Sequence, residues 1–322
     1  MTSALIALDW GTSSLRGYLM TRDGAIIEQR AGGRGIMQVE DGQFEAALRQ
    51  LCGDWLDAHP AATLITSGMI GSKQGWREAP YCACPADAAA IAAAVIAINL
   101  SGARGVKHAG ANRRSLHIVP GVSCIDPASG VPDVMRGEET QIIGAVPPSG
   151  AHLCVLPGSH SKWVWVRDGA IERFSSWMTG EVYAALTQHT ILGRLMQLDA
   201  PHDETAFARG VDAGFAQPQA MLHQIFSART LGLFDQIGAA ALPSYLSGLL
   251  IGTELGGATP AYRHTGANHT ASYGKLILLG SHQLTARYQS ACALAGLDVT
   301  PGPADSAAQG LHRIASAAGL LA

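Results

Sequence analysis

A unit made of an apolar strand, a small-residue turn and a second strand occurs twice in this sequence, about half the chain apart. The first copy covers residues 5–28, where Leu5–Leu8 leads into Asp9 and a Gly-Thr-Ser-Ser turn. The second copy covers residues 153–172, where an apolar strand enters a Gly-Ser-His-Ser-Lys turn. Each copy closes with Arg-Asp-Gly-Ala-Ile, and Asp-Gly is a common tight hairpin turn. Two copies of the whole unit predict a duplicated domain, and 322 residues are enough for two domains.

The turn that follows Asp9 carries the groups that a hydrated Mg²⁺ ion and a phosphate require. The carboxylate can hold the cation or its waters, while the N–H groups and hydroxyls of the turn receive phosphate oxygens. The alternative is an ordinary hairpin capped by Asp9, and this segment by itself leaves both interpretations open. The second copy favours phosphate binding, because two such lobes facing each other form a nucleotide cleft.

Two later loops offer similar contacts. The turn of the second copy consists of Gly158, Ser159, His160, Ser161 and Lys162. It presents backbone donors, hydroxyls and a cation to a polyphosphate. Gly280-Ser281 precedes a predicted helix, whose N-terminal N–H groups favour an anion, and this loop suits the base or ribose of a nucleotide. Glycine-rich loops also follow strands for turn geometry alone, so it is their number that indicates a nucleotide site.

Paired carboxylates begin a predicted helix near Gly137. Glu138 and Glu139 partly neutralise the positive end of that helix, which is a sufficient structural reason for them. The functional alternative is a general base, in which one Glu accepts the proton of a substrate hydroxyl. Arg136 would then grip a substrate carboxylate or stabilise developing charge. The spacing leaves open which Glu is the base.

The loop Ser67–Trp76 is rich in small and polar residues and ends in one aromatic ring. Sugar sites combine such hydroxyl, amide and backbone groups with an indole that covers an apolar face of the ligand. The alternative is a long surface loop, which also tolerates glycine. The predicted substrate contacts are Gly71, Ser72, Gln74, Trp76 and Arg136.

The composition describes a well-packed protein with few charges. Apolar residues make up 48% of the chain and charged residues 15%, and a net charge of −3 gives no basic face for nucleic acid. The longest apolar run, Ala88–Ile98, predicts a helix that Asp87 starts, and it is too short to span a bilayer. The six cysteines form no Cys-x-x-Cys pair and are expected to be reduced. No basic-then-apolar leader precedes Asp9, so we expect a cytoplasmic protein without a membrane partner.

Taken together, these motifs resemble the 2-dehydro-3-deoxygalactonokinases, which are sugar-acid kinases of the actin/hexokinase/Hsp70 superfamily. The resemblance extends over nearly the whole chain. It rests on residues 8–14, 68–72 with Gly75-Trp76, 136–141, 156–163, 245–252 and 279–282.

The resemblance implies an α/β fold of two ribonuclease-H-like lobes with ATP in the cleft between them. With a boundary at the Pro-Pro-Ser-Gly segment, the expected domains are residues 1–148 and 149–322, and the last helix is a candidate to pack back on the N-terminal lobe. The implied reaction moves the γ-phosphoryl of ATP to the 6-hydroxyl of 2-dehydro-3-deoxy-D-galactonate, in galactonate breakdown. Its product is a 6-phospho sugar acid that an aldolase can cleave.

The same resemblance implies ATP and Mg²⁺ as cofactors and assigns them to particular residues. Asp9 would hold Mg²⁺ through water, while residues 158–162 would take the second phosphate position and Gly280-Ser281 the adenosine end. The residues near the first phosphate position would be Gly11, Thr12 and Ser13.

The sequence departs from the superfamily pattern at the expected base. Many members carry an Asp at the start of the second phosphate motif, whereas residues 156–159, Leu-Pro-Gly-Ser, contain no acid. The segment that begins with Glu138-Glu139 instead resembles the Glu-Glu-Ala-Arg-Leu-Ile segment of exopolyphosphatases on the same fold, so the base is assigned to this pair. The alternatives are a kinase for another sugar or sugar acid, a polyphosphate-cleaving enzyme, or a non-catalytic sugar- or nucleotide-binding regulator. The C4 stereochemistry of the substrate and a possible homo-oligomer are left open.

Overall fold

A computed structural model describes residues 3–101, 114–263 and 276–321 of the chain. Its contacts divide the chain into two compact units. Unit 1 contains Met1–Gly150, Val166–Arg173 and Pro303–Ala322. Unit 2 contains Ala151–Trp165 and Phe174–Gly302.

The secondary structure of the described residues alternates strands and helices. The strands are β1 (Ser3–Trp10), β2 (Ser14–Thr21), β3 (Ile26–Arg34), β4 (Thr63–Ser67), β5 (Tyr81–Ala83), β6 (Ile96–Asn99), β7 (Ser115–Ile118), β8 (Gly121–Ile125), β9 (Pro132–Met135), β10 (Ala151–Leu156), β11 (Ser161–Arg167), β12 (Ala170–Trp177), β13 (Leu276–Leu278) and β14 (Val299–Pro301). The helices are α1 (Phe44–Ala58), α2 (Ala88–Ala93), α3 (Glu138–Ala145), α4 (Thr179–His189), α5 (Glu204–Ala216), α6 (Met221–Gln224), α7 (Ser227–Leu233), α8 (Leu242–Arg263), α9 (His282–Leu294) and α10 (Ser306–Ala317).

The first sheet has the strand order β3-β2-β1-β4-β7-β6. β1 and β3 are antiparallel to β2, whereas β4 is parallel to β1 and β7 is parallel to β4. Residues 5–8 of β1 have no exposed surface, because the strand is apolar and lies inside the sheet. β1 and β4 therefore end side by side, and each is followed by one of the loops that the sequence singled out.

The second sheet has the order β12-β11-β10-β13-β14, with β13 parallel to β10 and β14 parallel to β13. Both sheets thus have three consecutive strands at one side, with a parallel strand next to the first of the three. This shared order agrees with the duplication that the sequence predicts. The predicted α/β fold class, with a strand-and-helix unit in each half of the chain, is confirmed.

A third, small sheet in unit 1 has the order β5-β8-β9. β5 runs parallel to β8, and β9 runs antiparallel to it. β9 ends at Met135, so this sheet places Arg136 and the start of α3. The helix α3 packs closely against α10. A Cβ on Gly144 would lie 1.9 Å from the Ser306 carbonyl oxygen. Only glycine permits this close approach of the two helices.

The apolar run Ala88–Ile98 is not one helix, and this prediction was wrong. Asp87 does cap the helix, since its carboxylate accepts the Ala90 N–H at 2.7 Å. The helix α2 nevertheless ends at Ala93, and β6 follows at Ile96 and pairs with β7. The β-branched isoleucines favour the strand, and pairing in the sheet overrides the local helical preference of alanine. None of the helices in the described ranges is both long enough and apolar enough to cross a membrane.

Candidate active site

Asp9 lies near the carboxyl end of β1, where it is paired with Arg16 on β2 and with Ser67 on β4. Its side chain is partly exposed. Burial raises the pKa of this carboxyl, and the charge of Arg16 opposes the shift. Asp9 therefore lies at the carboxyl end of β1, next to the end of β4 and the loop that follows it.

The turn after Asp9 is held by the chain segment that begins at Gly35. The Ile36 N–H donates to the Gly11 carbonyl at 3.0 Å, and the Met37 N–H donates to the Thr12 carbonyl at 3.2 Å. A Cβ on Gly35 would lie 2.3 Å from the Thr12 carbonyl oxygen, so the two backbones touch. The side chains of Thr12 and Ser13 are exposed, which leaves their hydroxyls accessible at the tip of the turn.

Three backbone segments of unit 1 meet at Gly68, the first residue after β4. A Cβ on Gly68 would lie 2.6 Å from the Trp10 carbonyl oxygen at the end of β1. A Cβ on Gly137 would lie 3.2 Å from the Cα of Gly68. Both glycines have a positive φ, of 95° and 110°. The end of β1, the loop after β4 and the start of α3 are therefore in direct contact, which brings the predicted metal, substrate and base residues together.

Arg136 is 9% exposed and has a partly satisfied guanidinium. Its Nη2 donates to the Ala79 carbonyl at 2.9 Å, and the guanidinium carbon lies 4.4 Å from the Tyr81 ring centre. Its Nε and Nη1 are buried and have no hydrogen-bond partner among the residues that the structure describes. Nη1 lies close to Gly71, where an added Cβ would be 3.0 Å away. The structure thus holds a buried cation, two of whose nitrogens lack a described hydrogen-bond partner, beside the predicted substrate loop.

Glu138 and Glu139 lie in different surroundings at the start of α3. Glu138 is partly exposed, and its Oε2 accepts the Arg136 N–H at 3.0 Å. Glu139 has no exposed surface, and its oxygens accept the Gly137 N–H at 2.7 Å and the Thr140 hydroxyl at 3.0 Å. Burial, together with the nearby charge of Glu138, raises the pKa of Glu139 to about 8. The two carboxyls therefore differ in their access to solvent.

The loop after Gly68 is anchored by Trp76, which stacks on Phe44 with ring centres 6.1 Å apart. The same indole contacts Trp10 edge-on at 6.4 Å. Ser72 has a buried hydroxyl oxygen without a hydrogen-bond partner in the described part of the chain, and Gln74 is exposed. Trp76 thus holds the loop on the core, while Ser72 has an unused polar atom near Gly71.

In unit 2, the turn between β10 and β11 is packed against the start of α4. The Glu181 N–H donates to the Ser159 carbonyl at 3.0 Å, and the His160 ring is in contact with the Glu181 carboxylate. A Cβ on Gly180 would lie 2.5 Å from the Gly158 carbonyl oxygen. Ser159 and His160 are exposed, so the tip of the turn is open to solvent.

Ser161 and Lys162, which follow this tip, point inward instead. The Ser161 hydroxyl is buried and lies 2.9 Å from the Tyr288 hydroxyl. Lys162 is 5% exposed, and its Nζ donates to the Ser176 hydroxyl at 2.5 Å. Within the described ranges, no acidic side chain forms an ion pair with this ammonium group.

Gly280 and Ser281 follow β13 and precede α9, as the sequence predicts. Both are exposed, and Gly280 has a φ of 141°. A pocket of about 70 Å³ lies nearby in unit 2. Its lining includes Gly158, Thr179, Gly180, Tyr183, Arg287 and Tyr288.

Sequence reasoning missed the groups that surround the two buried cations. Ala79 and Tyr81 contact Arg136 from β5 and the segment before it, and Ser176 contacts Lys162 from β12. These contacts join distant parts of the chain, so no local spacing reveals them. Among the described residues, no cluster of three or more His, Cys, Asp or Glu side chains suits a metal ion.

A family model described as 2-keto-3-deoxy-galactonokinase matches residues 9–314. The chain belongs to this family. The match includes every segment on which the sequence resemblance rests apart from its first residue, and that resemblance is confirmed.

Two curated relatives agree with the family. A protein from Rhizobium meliloti (strain 1021), named as 2-dehydro-3-deoxygalactonokinase DgoK1, is 35% identical over 94% of this chain and 92% of its own length. The 2-dehydro-3-deoxygalactonokinase of Escherichia coli (strain K12) is 32% identical over 98% of this chain and 99% of its own.

A solved structure shows the same fold. The crystal structure of a 2-dehydro-3-deoxygalactonokinase protein from Sinorhizobium meliloti is 34% identical to this chain and has a TM-score of 0.80. The match covers 97% of this chain and 98% of that one.

Proposed function

We propose that this member of the family transfers the γ-phosphoryl group of ATP to the 6-hydroxyl of 2-dehydro-3-deoxy-D-galactonate. The names of its relatives support this substrate. The observation that carries the proposal is Arg136, whose buried guanidinium has two nitrogens, Nε and Nη1, without a hydrogen-bond partner among the described residues. A buried cation without a counter-charge is costly, and a carboxylate on the substrate supplies that charge. A sugar acid meets this requirement, whereas a neutral sugar does not.

We propose that the same loop binds the hydroxyl groups of the sugar acid. Ser72 has a buried, unpartnered hydroxyl, and the exposed Gln74 side chain has both a donor and an acceptor. Gly71 lets the Arg136 guanidinium approach the backbone of this loop, because an added Cβ would lie 3.0 Å from its Nη1. Trp76 is partly buried and fixes the loop on the core through its contact with Phe44.

We propose that Glu138 is the general base. Glu138 is a partly exposed residue, whereas Glu139 is fully buried and has both carboxyl oxygens hydrogen-bonded. Glu138 takes the proton of the 6-hydroxyl as the new O–P bond forms, while the bond between the γ-phosphorus and its bridging oxygen breaks and ADP leaves. Glu139 orients the first turn of α3 by accepting the Gly137 N–H.

Asp9 is the proposed contact for Mg²⁺. A partly exposed carboxylate beside accessible hydroxyls is a hard oxygen donor that suits this ion. Magnesium commonly binds through one or two carboxylates, substrate phosphates and several waters, so a dedicated cluster of acidic side chains is not required. When bound, the ion neutralises phosphate charge. Gly11, Thr12 and Ser13 supply the adjacent phosphate contacts.

The remaining nucleotide contacts belong to unit 2. The tip formed by Gly158, Ser159 and His160 is open and offers backbone and side-chain donors to phosphate oxygens. Lys162 adds a nearly buried ammonium whose hydrogen-bond partner is a neutral hydroxyl, so an anion nearby is favourable. Gly280-Ser281 and the adjoining pocket are proposed to receive the adenosine end.

A panel of purified substrates tests this function. The protein is incubated with Mg·ATP and a series that includes 2-dehydro-3-deoxy-D-galactonate, its C4 epimer, other sugar acids and a neutral hexose, and ADP release is measured. Selective turnover of the galactonate-derived acid supports the proposal, and preference for the epimer reassigns the substrate. Selective turnover of a neutral hexose overturns the sugar-acid assignment, and ADP formation without a phosphorylated acceptor indicates an ATP-cleaving enzyme.

A further inference from the structure

Glu254 is a buried carboxylate in the middle of α8, in unit 2. It is 1% exposed and adjoins Leu255, which belongs to the apolar core of the unit. Burial raises the pKa of this carboxyl, and hydrogen bonds from neighbouring side chains oppose the shift. No cationic side chain within the described ranges is paired with it. Moving a carboxyl group from water into an apolar core costs free energy unless both of its oxygens are hydrogen-bonded. The buried position of Glu254 therefore depends on its hydrogen-bond partners.

Both oxygens of Glu254 accept hydrogen bonds from side chains on other elements. The Trp163 Nε1–H donates to Oε1 at 2.8 Å. The Tyr288 hydroxyl donates to Oε2 at 2.6 Å, and the Thr179 hydroxyl donates to the same oxygen. The Tyr288 hydroxyl also lies 2.9 Å from the Ser161 hydroxyl. One carboxylate is therefore the common acceptor for β11, α4 and α9.

These donors lie next to the proposed nucleotide contacts. Trp163 follows the turn formed by residues 158–162, on the same strand. Thr179 precedes Gly180, which touches the Gly158 backbone. Tyr288 lies in the helix that Gly280-Ser281 precedes. Thr179 and Tyr288 also line the pocket of unit 2, so the Glu254 carboxylate is hydrogen-bonded to two of the residues that form the pocket.

We propose that Glu254 is a positioning residue for ATP binding: it holds the turn 158–162, the start of α4 and the helix α9 in their binding arrangement. This inference rests on the proposed function, in which that turn contacts the phosphates. Glu254 acts through Trp163, Thr179 and Tyr288 and does not touch the nucleotide. Its loss changes ATP binding and leaves the sugar-acid contacts, which lie in unit 1, as they were.

The test compares Glu254→Gln with the wild-type enzyme. The glutamine amide keeps an acceptor for Trp163 but presents N–H groups to the hydroxyls of Thr179 and Tyr288, which donate in the native network. We expect the KM for ATP to rise about tenfold, as for the loss of one charge-assisted hydrogen bond, while the KM for 2-dehydro-3-deoxy-D-galactonate stays within about twofold. ADP binding, measured by calorimetry, weakens in parallel.

Matched variants separate positioning from general destabilisation. Thr179→Val removes one donor and is expected to raise the KM for ATP. Thr179→Ser keeps the hydroxyl and is expected to have the KM of the wild type. This pair keeps the test decisive even if Glu254→Gln does not fold. Thr253→Val is the control on the same helix, because its hydroxyl bonds the Leu249 carbonyl of α8 itself. It is expected to leave both KM values unchanged.

Lys162→Met distinguishes failure of this inference from failure of the proposed site. If Lys162→Met raises the KM for ATP but Glu254→Gln and Thr179→Val do not, the turn binds phosphate and the role of Glu254 is overturned. If none of these variants changes ATP binding, the turn is not the phosphate site, and both proposals fail. Equal increases in the KM for ATP and for the sugar acid would indicate a structural role and would also overturn the inference.

Discussion

The guanidinium carbon of Arg136 lies 4.4 Å from the centre of the Tyr81 ring. The ring and the Ala79 carbonyl together stabilise the buried cation on one side. Neither the ring nor the carbonyl carries a negative charge, and the Nε and Nη1 of Arg136 have no hydrogen-bond partner among the described residues. Among the described residues, no carboxylate forms an ion pair with this guanidinium, as expected of a group that binds an anionic substrate.

Arg136→Met should therefore weaken binding of the sugar acid. We expect its KM to rise about tenfold to a hundredfold, the range for a lost hydrogen bond to a charged group, with little change in the KM for ATP. Steady-state kinetics with each substrate varied in turn measure both values. Arg30→Met is the matched control, because Arg30 is paired with Asp54 at the surface and has no proposed contact with substrate. Unchanged sugar-acid kinetics in Arg136→Met would remove Arg136 from the substrate site.

Asp9→Asn should preserve the fold but lower the rate with Mg·ATP. The amide has the size of the carboxylate but no charge, so it binds a hydrated cation poorly. We expect a lower kcat and a higher magnesium concentration for half-maximal rate, with the melting temperature nearly unchanged. Asp23→Asn, at the exposed tip of the first hairpin, is the control. A normal dependence on magnesium in Asp9→Asn would remove Asp9 from the metal role.

Glu138→Gln and Glu139→Gln should differ sharply in kcat. A general base contributes about 10²-fold or more, and Glu138 is the partly exposed residue of the pair and the proposed base. We expect that loss in Glu138→Gln and a smaller effect in Glu139→Gln, whose side chain still accepts the Gly137 N–H. Pre-steady-state measurement of the chemical step distinguishes this from slow product release. The reverse order would assign the base to Glu139, and mild losses in both would make the pair structural.

The sequence predicts the two strand-turn-strand units well, because each depends on local signals. Apolar strands, small-residue turns and Asp-Gly hairpins lie within a few residues of one another, and β1 to β3 follow the expected order. The start of α3 is also predictable from its glycine and paired acids. The fold class follows from these elements.

The surroundings of the predicted residues were less predictable, because they depend on contacts between distant parts of the chain. Sequence spacing cannot show that Tyr81 lies over Arg136, or that Trp76 stacks on Phe44 rather than standing free. Sheet pairing cuts the alanine-rich run short at Ala93. One local sequence signal does indicate a buried polar contact, because Glu254 is a charged residue within the apolar segment of α8.

The stability of the protein should fall as the pH rises towards 8, and Glu139→Gln should remove much of that fall. The pKa of Glu139 is raised to about 8 in the folded protein from an ordinary value of 4.5. A raised pKa in the folded state means that the folded protein binds this proton more tightly than the unfolded protein does. The contribution of Glu139 to the free energy of unfolding is therefore complete below about pH 4.5 and is lost as the pH rises through about 8.

Urea unfolding of both proteins between pH 5 and pH 8 measures this difference. Glutamine stays neutral at every pH, keeps an acceptor for the Gly137 N–H, and can donate to the Thr140 hydroxyl. We therefore expect the variant to gain stability relative to the wild type with each step towards pH 8, because the wild type must either hold a proton or bury a charge. A free-energy difference between the two proteins that is independent of pH would show that Glu139 is ionised in the folded state with a normal pKa.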